Sequence, residues 1–100
     1  MEIKTSIEGT KATFGLEGKL TVQTAPELEA AIDAVSQEAC DFAIDLAGVD
    51  YVSSAGLRVF VAADKLAMKR GGSLVLMHPR EDVTEVLEMT GLADVLVIER

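Results

Sequence analysis

One hundred residues, 49% of them hydrophobic, supply apolar material for one folded core and argue against wholesale disorder. Seventeen acids against nine lysines and arginines leave a net charge of −8, which disfavours nucleic acid or an anionic membrane surface as partner of the whole molecule. No run approaches the roughly 18 to 20 apolar residues of a spanning helix, so no direct membrane insertion is expected.

Glu2 to Ile7 and Lys11 to Leu16 read as two short strands joined across Glu8-Gly9-Thr10, a hairpin in which Thr13, Phe14 and Leu16 suit a half-buried sheet. Gly18 is expected to break that run. Thr24-Ala25-Pro26-Glu27 has the form of a capping box with proline in the first turn, and opens a helix. Leu28, Ala31, Ile32 and Val35 follow at helical spacing, with Glu29, Asp33 and Gln37 towards water. Asp41 to Leu46 is a short strand, and Ala47-Gly48-Val49-Asp50 is expected to turn the chain. Tyr51-Val52 then leads into Ser53-Ser54.

A helix is predicted over Ala55–Arg70, largely buried because polar positions are few, with Gly71-Gly72 as its stop. Ser73 to Met77 reads as a buried strand. Glu81 to Thr90 reads as an amphipathic helix with Val83, Val86, Leu87 and Met89 inside, ended by Gly91. Val95 to Ile98 is a last apolar strand. The order β-β-α-β-α-β-α-β predicts an α/β fold: a mixed four-to-five-stranded sheet, with an antiparallel opening pair, parallel neighbours thereafter and helices packed on it. The chain has no linker or repeat, so residues 1–100 are expected to form a single domain. Its acidity is uneven: residues 1–50 hold ten acids and three bases, residues 51–100 seven acids and six bases.

Few residues invite catalysis. With one histidine, His78, and one cysteine, Cys40, there is no basis for a zinc site or a Cys–His nucleophile, and no metal or cofactor is expected. A lone cysteine also precludes an internal disulfide and suits a reducing compartment. The opening MEIKTSIEG has neither the basic start nor the apolar stretch of a secretory signal, so a cytoplasmic location is expected. His78 reads as a loop residue before Pro79. Met68, Met77 and Met89 read as core filler, and Asp33, Asp45, Asp50 and Asp64 are too scattered for a carboxylate pair. Val52-Ser53-Ser54-Ala55-Gly56 shares part of a serine-hydrolase elbow, but its leading glycine is missing. No enzyme activity is expected.

The informative segment is Ser53-Ser54-Ala55-Gly56-Leu57, where a strand exit becomes a helix. Plain capping accounts for one serine there. Three details go further. Two successive hydroxyls stand where one cap suffices. Ala55 and Gly56 leave the backbone approachable. Arg58, Lys65 and Lys69 recur at spacings of seven and four, a basic stripe whose first member lies one turn beyond Ser54. Such a stripe is also what a solvated helix face looks like, and the two readings are compatible.

With these residues in hand, the sequence resembles the anti-sigma factor antagonists, small bacterial STAS-domain proteins. The resemblance covers essentially the whole chain. It runs through Gly18-Lys19-Leu20 and Asp45-Leu46, is densest from Val49 to Phe60, and returns in Gly71-Gly72-Ser73-Leu74-Val75-Leu76 and Leu87-Glu88-Met89-Thr90-Gly91-Leu92. It implies a STAS fold and a phosphorylation switch. In that family the unphosphorylated antagonist binds an anti-sigma factor that is also a serine kinase, a GHKL-type ATPase, and so frees the sigma factor. Phosphorylation releases it, and a PPM-type serine phosphatase resets it.

The family's acceptor maps to Ser54, with Ser53 as a secondary candidate. Thr21, Ser53, Ser54, Ala55, Gly56, Leu57 and Arg58 become the expected partner contacts. At two positions the chain departs from a widespread family pattern: Ser53 and Thr21 stand where acids are common. A constitutive interaction subunit, similar to the STAS partners of ABC lipid-transport ATPases, is the alternative.

Overall fold

In a computed structural model of residues 1–100, Glu8 pairs with Lys11, so the first hairpin closes through the two-residue turn Gly9-Thr10. Gly9 takes φ +61, the left-handed value such a turn asks of its first residue. The two strands are β1 (Glu2–Glu8) and β2 (Lys11–Leu20). The break expected at Gly18 does not occur. β2 runs through it, and Gly18 absorbs a register shift with φ +117.

The central strand β3 (Asp41–Val52) is likewise longer than its sequence suggests. Asp41–Asp45 pair in step with Lys11–Gly15, but Glu17 then pairs with Gly48 and Lys19 with Tyr51. β3 thus carries one extra residue at each of two bulges, and Ala47-Gly48-Val49-Asp50 is bulged strand where a turn was expected. Glycine is required at 48 because a Cβ there would lie 2.7 Å from the Leu16 carbonyl oxygen.

The remaining elements are α1 (Ala25–Asp33), α2 (Ser54–Lys69), β4 (Leu74–Met77), α3 (Glu81–Met89), a 3-10 turn at Leu92–Asp94, and β5 (Val97–Glu99). The last strand starts two residues later than expected because the chain coils once more after Gly91. Strand order is β1-β2-β3-β4-β5, with β1 antiparallel to β2 and every later pair parallel. The mixed α/β sheet predicted from the sequence as four- to five-stranded forms with five strands. Sequential order with crossovers of one hand places all three helices on the same face.

One core results. Phe14, Phe42, Ile44, Leu74 and Leu76 point from the sheet into it, and Leu28, Phe60, Val83 and Leu87 meet them from the helices. Phe14 and Phe42 pack edge to face, with ring centroids 6.1 Å apart.

Three expectations about the helices change. α1 ends at Asp33, so Val35 packs on the core from the following loop. α2 is buried along one face only: Gly56, Val59, Phe60, Ala63 and Ala67 face the core, while Arg58, Ala62 and Lys65 face water. Met68 and Met89 are 64% and 79% exposed. They lie on the outer sides of α2 and α3, because a helix on a two-layer fold has one covered face. Val86 is half-buried, and Met77 lies on the sheet face away from the helices.

The end of α2 is held firmly. Gly71 takes φ +86, and Gly72 N–H donates back to the Ala67 carbonyl at 2.8 Å. Gly72 also presses on the Cys40 carbonyl, where a Cβ would overlap it. Arg70 donates to the Ala39 carbonyl at 2.9 Å and lies over the Phe42 ring, tying the helix end to the chain entering β3.

Candidate functional site

β2 and β3 end side by side at the Leu20–Val52 pair, and Ser53 N–H donates to the Leu20 carbonyl at 2.8 Å. The residues that follow the two strands, Thr21 and Ser53, are therefore neighbours although 32 positions separate them. Sheet pairing alone brings the two parts of the predicted contact set together.

The two serines divide their roles. Ser53 has extended backbone (φ −85, ψ 170) and is the N-cap of α2: Gly56 N–H donates to its Oγ at 3.3 Å. Ser54 is the first helical residue, exposed, and its hydroxyl bonds to no other residue. Two successive hydroxyls thus yield one cap and one free nucleophile-bearing side chain.

Gly56 is buried beneath them, and a Cβ there would come within 2.7 Å of Leu20 Cδ2 and Cγ and 3.1 Å of Val52 Cγ1. Its absence lets the first turn of α2 settle on the ends of β2 and β3. Leu57 and Ala55 are half-buried against the core, and Arg58 points into solvent without an ion pair. Lys65 and Lys69 are exposed as well, so the basic stripe is real and lies on the open side of α2.

Thr21 acts differently from a simple surface contact. Its Oγ1 accepts from the N–H groups of Gln23 (3.1 Å) and Thr24 (3.2 Å), and its carbonyl accepts from Ala25 N–H at 2.8 Å. Thr24, expected to cap α1, makes no capping bond. Its φ and ψ (−98, −18) are already helical, and its hydroxyl instead donates to the Lys19 carbonyl at 2.7 Å and accepts from Thr21 N–H at 2.8 Å. The Thr21 and Thr24 hydroxyls together organise the β2–α1 turn, and the accepting part that Thr21 plays is one a short acid at this position would also perform.

Two exposed apolar side chains not singled out as contacts in the sequence lie at the ends of the strands that lead to this site. Val22, 70% exposed, projects from the β2–α1 turn, and Tyr51, 50% exposed, stands at the end of β3. Val22, Ala25, Pro26, Ala55, Val59 and Ala62 line a shallow groove between α1 and α2, with Arg58 and Glu29 at its edges. An exposed valine beside a turn was the available signal in the sequence. Beyond the groove's entrance, Lys19 and Asp50 form an exposed pair at 3.4 Å.

His78 lies elsewhere. It follows β4, takes φ +54, and its Nδ1 sits 3.4 Å from Asp45 Oδ1. Met77 pairs with Asp45, so His78 stands beside the middle of β3, whereas Ser54 lies beyond its end. The fold does not bring the serine and the imidazole together. No cluster of three or more His, Cys, Asp or Glu side chains is arranged to hold a metal ion. No helix is long and apolar enough to cross a membrane.

A family model described as "Mlab, STAS domain" matches residues 3–98. An anti-sigma-B factor antagonist of Bacillus subtilis (strain 168) is 35% identical over 83 residues, covering 83% of this chain and 76% of that protein. Among solved structures, a Thermotoga maritima protein proposed to be an anti-sigma factor antagonist superposes with a TM-score of 0.89 at 21% identity, covering 98% of this chain and 86% of that one. The Bacillus cell fate determinant SpoIIAA, solved in its phosphorylated form, is similar with a TM-score of 0.76 at 16% identity, covering 99% and 92% of the two chains. Those two likenesses are of fold.

Proposed function

The chain belongs to the STAS-domain family of anti-sigma factor antagonists, and from that membership we propose that residues 1–100 act as one partner-switching domain in the cytoplasm. In its unphosphorylated form it binds an anti-sigma factor that is also a serine kinase of the GHKL ATPase type, and thereby frees a sigma factor. Phosphoryl transfer from ATP to the Ser54 hydroxyl forms the Ser54 Oγ–P bond, breaks the bond between the β- and γ-phosphates, and leaves ADP. A PPM-type phosphatase returns the serine by hydrolysis.

The observation that carries this reading is the division between the two serines. Ser53 is committed to the Gly56 N–H and half-buried, while Ser54 is exposed and unbonded on the same turn. The site offers one acceptor, with Ser53 a poorer second. Val22 and the groove that runs past Ala55 and Arg58 supply apolar contact on the same side of the fold.

Magnitudes favour release once phosphate is added. A phosphoserine brings about −1.5 to −2 charge. The N-terminus of α2 stabilises it by roughly 0.3 to 1 kcal/mol, with Arg58 one turn away. Burying an unmatched dianion against a partner costs several kcal/mol, and each ~1.4 kcal/mol is about tenfold in affinity. Expulsion from the interface exceeds local stabilisation, and no refolding is required.

The test is incubation with ATP and a GHKL-type serine kinase from the same organism, followed by mapping of the modified residue by mass spectrometry. Phosphate on Ser54 is the expected result; an active kinase that leaves Ser54 unmodified would sink the assignment. Ser54→Ala should retain partner binding and Ser54→Asp should weaken it. The constitutive-subunit alternative is the less favoured, because the curated relative is itself an antagonist. Co-purification with an ABC ATPase, together with indifference to Ser54→Asp, would reverse that preference.

A further inference from the structure

The face of the sheet turned away from the helices has no covering layer. Every second residue of each strand lies on it. One row runs Ser6, Thr13, Ala43, Val75, Val97 across all five strands, and the next runs Lys4, Gly15, Asp45, Met77, Glu99. Ala43 is buried yet stands apart from the main core, as do Val75, Met77 and Val97, and Val97 is 58% exposed. Sheets with parallel pairing are ordinarily covered on both faces. Here three of the four strand pairings are parallel and one face is bare.

The frame of this face is acidic. Glu2, Glu8, Glu17, Asp41, Asp45 and Glu99 lie on it against Lys4 and Lys11, Lys19 and Asp50 add an ion pair at its edge, and His78 borders it beside Asp45. Seven acids against three lysines place half of the chain's net −8 around the small and apolar residues at its centre.

We propose that this open sheet face is a second docking surface, and that its occupant is a cationic amphipathic helix of another protein. The acid frame selects the sign of the partner's charge, and Val75, Met77 and Val97, around the buried Ala43, receive its apolar side. Two copies of this chain meeting face to face would bring two like-signed net charges together, which disfavours a symmetric pair through this surface. An anionic membrane is repelled for the same reason. From Thr13 to Val97 is three strand spacings, about 14 Å, which a helix spans in about ten residues. The face lies across the sheet from α2 and its Ser54 pole, so the two surfaces can be occupied at once.

The probe is a synthetic Leu/Lys amphipathic helix of about 18 residues, titrated into the isotope-labelled full chain and followed by NMR. The expected result is saturable movement of the Thr13, Ala43, Val75 and Val97 amide signals, with α2 unmoved. Val97→Lys, and separately Glu17→Lys with Glu99→Lys, should each weaken binding by about tenfold or more. These are surface positions, and an unchanged far-UV spectrum shows that the variants fold. Four outcomes overturn the proposal: no binding; shifts centred on the acidic sides of α1 or α3; equal binding of a Lys/Ser peptide without apolar residues; or face signals that move with protein concentration alone, which would mean a second copy covers the face.

Discussion

Replacing Ser53 and Ser54 one at a time by alanine tests the reading of the site at its most exposed point. The Ser53 Oγ accepts the Gly56 N–H at 3.3 Å, longer than the ~2.9–3.0 Å typical of such bonds. Loss of an N-cap hydroxyl costs ~0.5–2 kcal/mol, and the long bond places Ser53→Ala in the lower half of that range, about 1 kcal/mol. In a domain of this size that lowers the midpoint of thermal unfolding by ~4–8 °C. Ser54→Ala removes a side chain with no bond and substitutes a better helix former, so it should leave the midpoint unchanged or slightly raised. Ser54→Asp places a carboxylate in the first turn, worth ~0.3–1 kcal/mol of stability, while weakening partner binding. Thermal and urea melts followed by far-UV circular dichroism resolve these differences. If Ser54→Ala destabilises as much as Ser53→Ala, the cap has been assigned to the wrong serine, and the case for Ser54 as the free acceptor fails with it.

Gly56→Ala should destabilise by about 1–2 kcal/mol: overpacking against Leu20 and Val52 costs ~1–3 kcal/mol and outweighs a propensity gain of up to ~1 kcal/mol, as the same melts will show. A variant more stable than the parent would mean that α2 does not rest on Leu20. Thr21→Val deprives the Gln23 and Thr24 N–H groups of their acceptor and should cost about 0.5–1 kcal/mol, the loss limited because water reaches both groups. Val22→Asp should leave the unfolding midpoint within ~0.5 kcal/mol of the parent, as expected of an exposed side chain. It should nonetheless weaken binding of the anti-sigma factor by about tenfold in calorimetric titration; unchanged affinity would remove the α1–α2 groove from the interface.

The sequence signalled strand and helix identity through periodicity, and most of those readings match the structure because apolar residues at spacings of two and of three to four each have one place to go. Its errors share a cause. Ala47-Gly48-Val49-Asp50 and Gly18 carry the composition of turns, and a single segment offers no means of seeing a neighbour strand that keeps pairing through a bulge. Gly48 looks like a turn residue locally but is glycine because the Leu16 carbonyl lies against it. Thr24 looks like a cap because Pro26 and Glu27 follow it. Its hydroxyl instead joins that of Thr21 in holding the turn, a role that depends on where β2 ends. Met68 and Met89 were placed inside by residue type, whereas a two-layer fold leaves the outer side of each helix in water.

The charge distribution follows the same logic. In the sequence the excess acidity belongs to residues 1–50 and resembles a solvated background. Register changes its meaning. Glu2 and Glu8 alternate along β1, Glu17 lies on β2, and Asp41 and Asp45 lie on β3, all at positions that turn to the helix-free side once the strands are aligned. The cations of α2 are held on the other layer. The pairing is mixed in its effect on the sheet, since Glu2 directly opposes Glu17 while Lys11 sits between Glu8 and Asp41. Yet alternating apolar residues here, as in β4, would have exposed a continuous greasy sheet to any passing edge or surface. The acids therefore keep an uncovered sheet soluble and, by the same charge, select against anionic and self-like partners. The acids of α1 and α3 leave the helix layer negative as well, so what sets the Ser54 pole apart is local: the first turn of α2 carries no acid and Arg58 lies one turn beyond the serine, where a single added phosphate changes the sign of the charge.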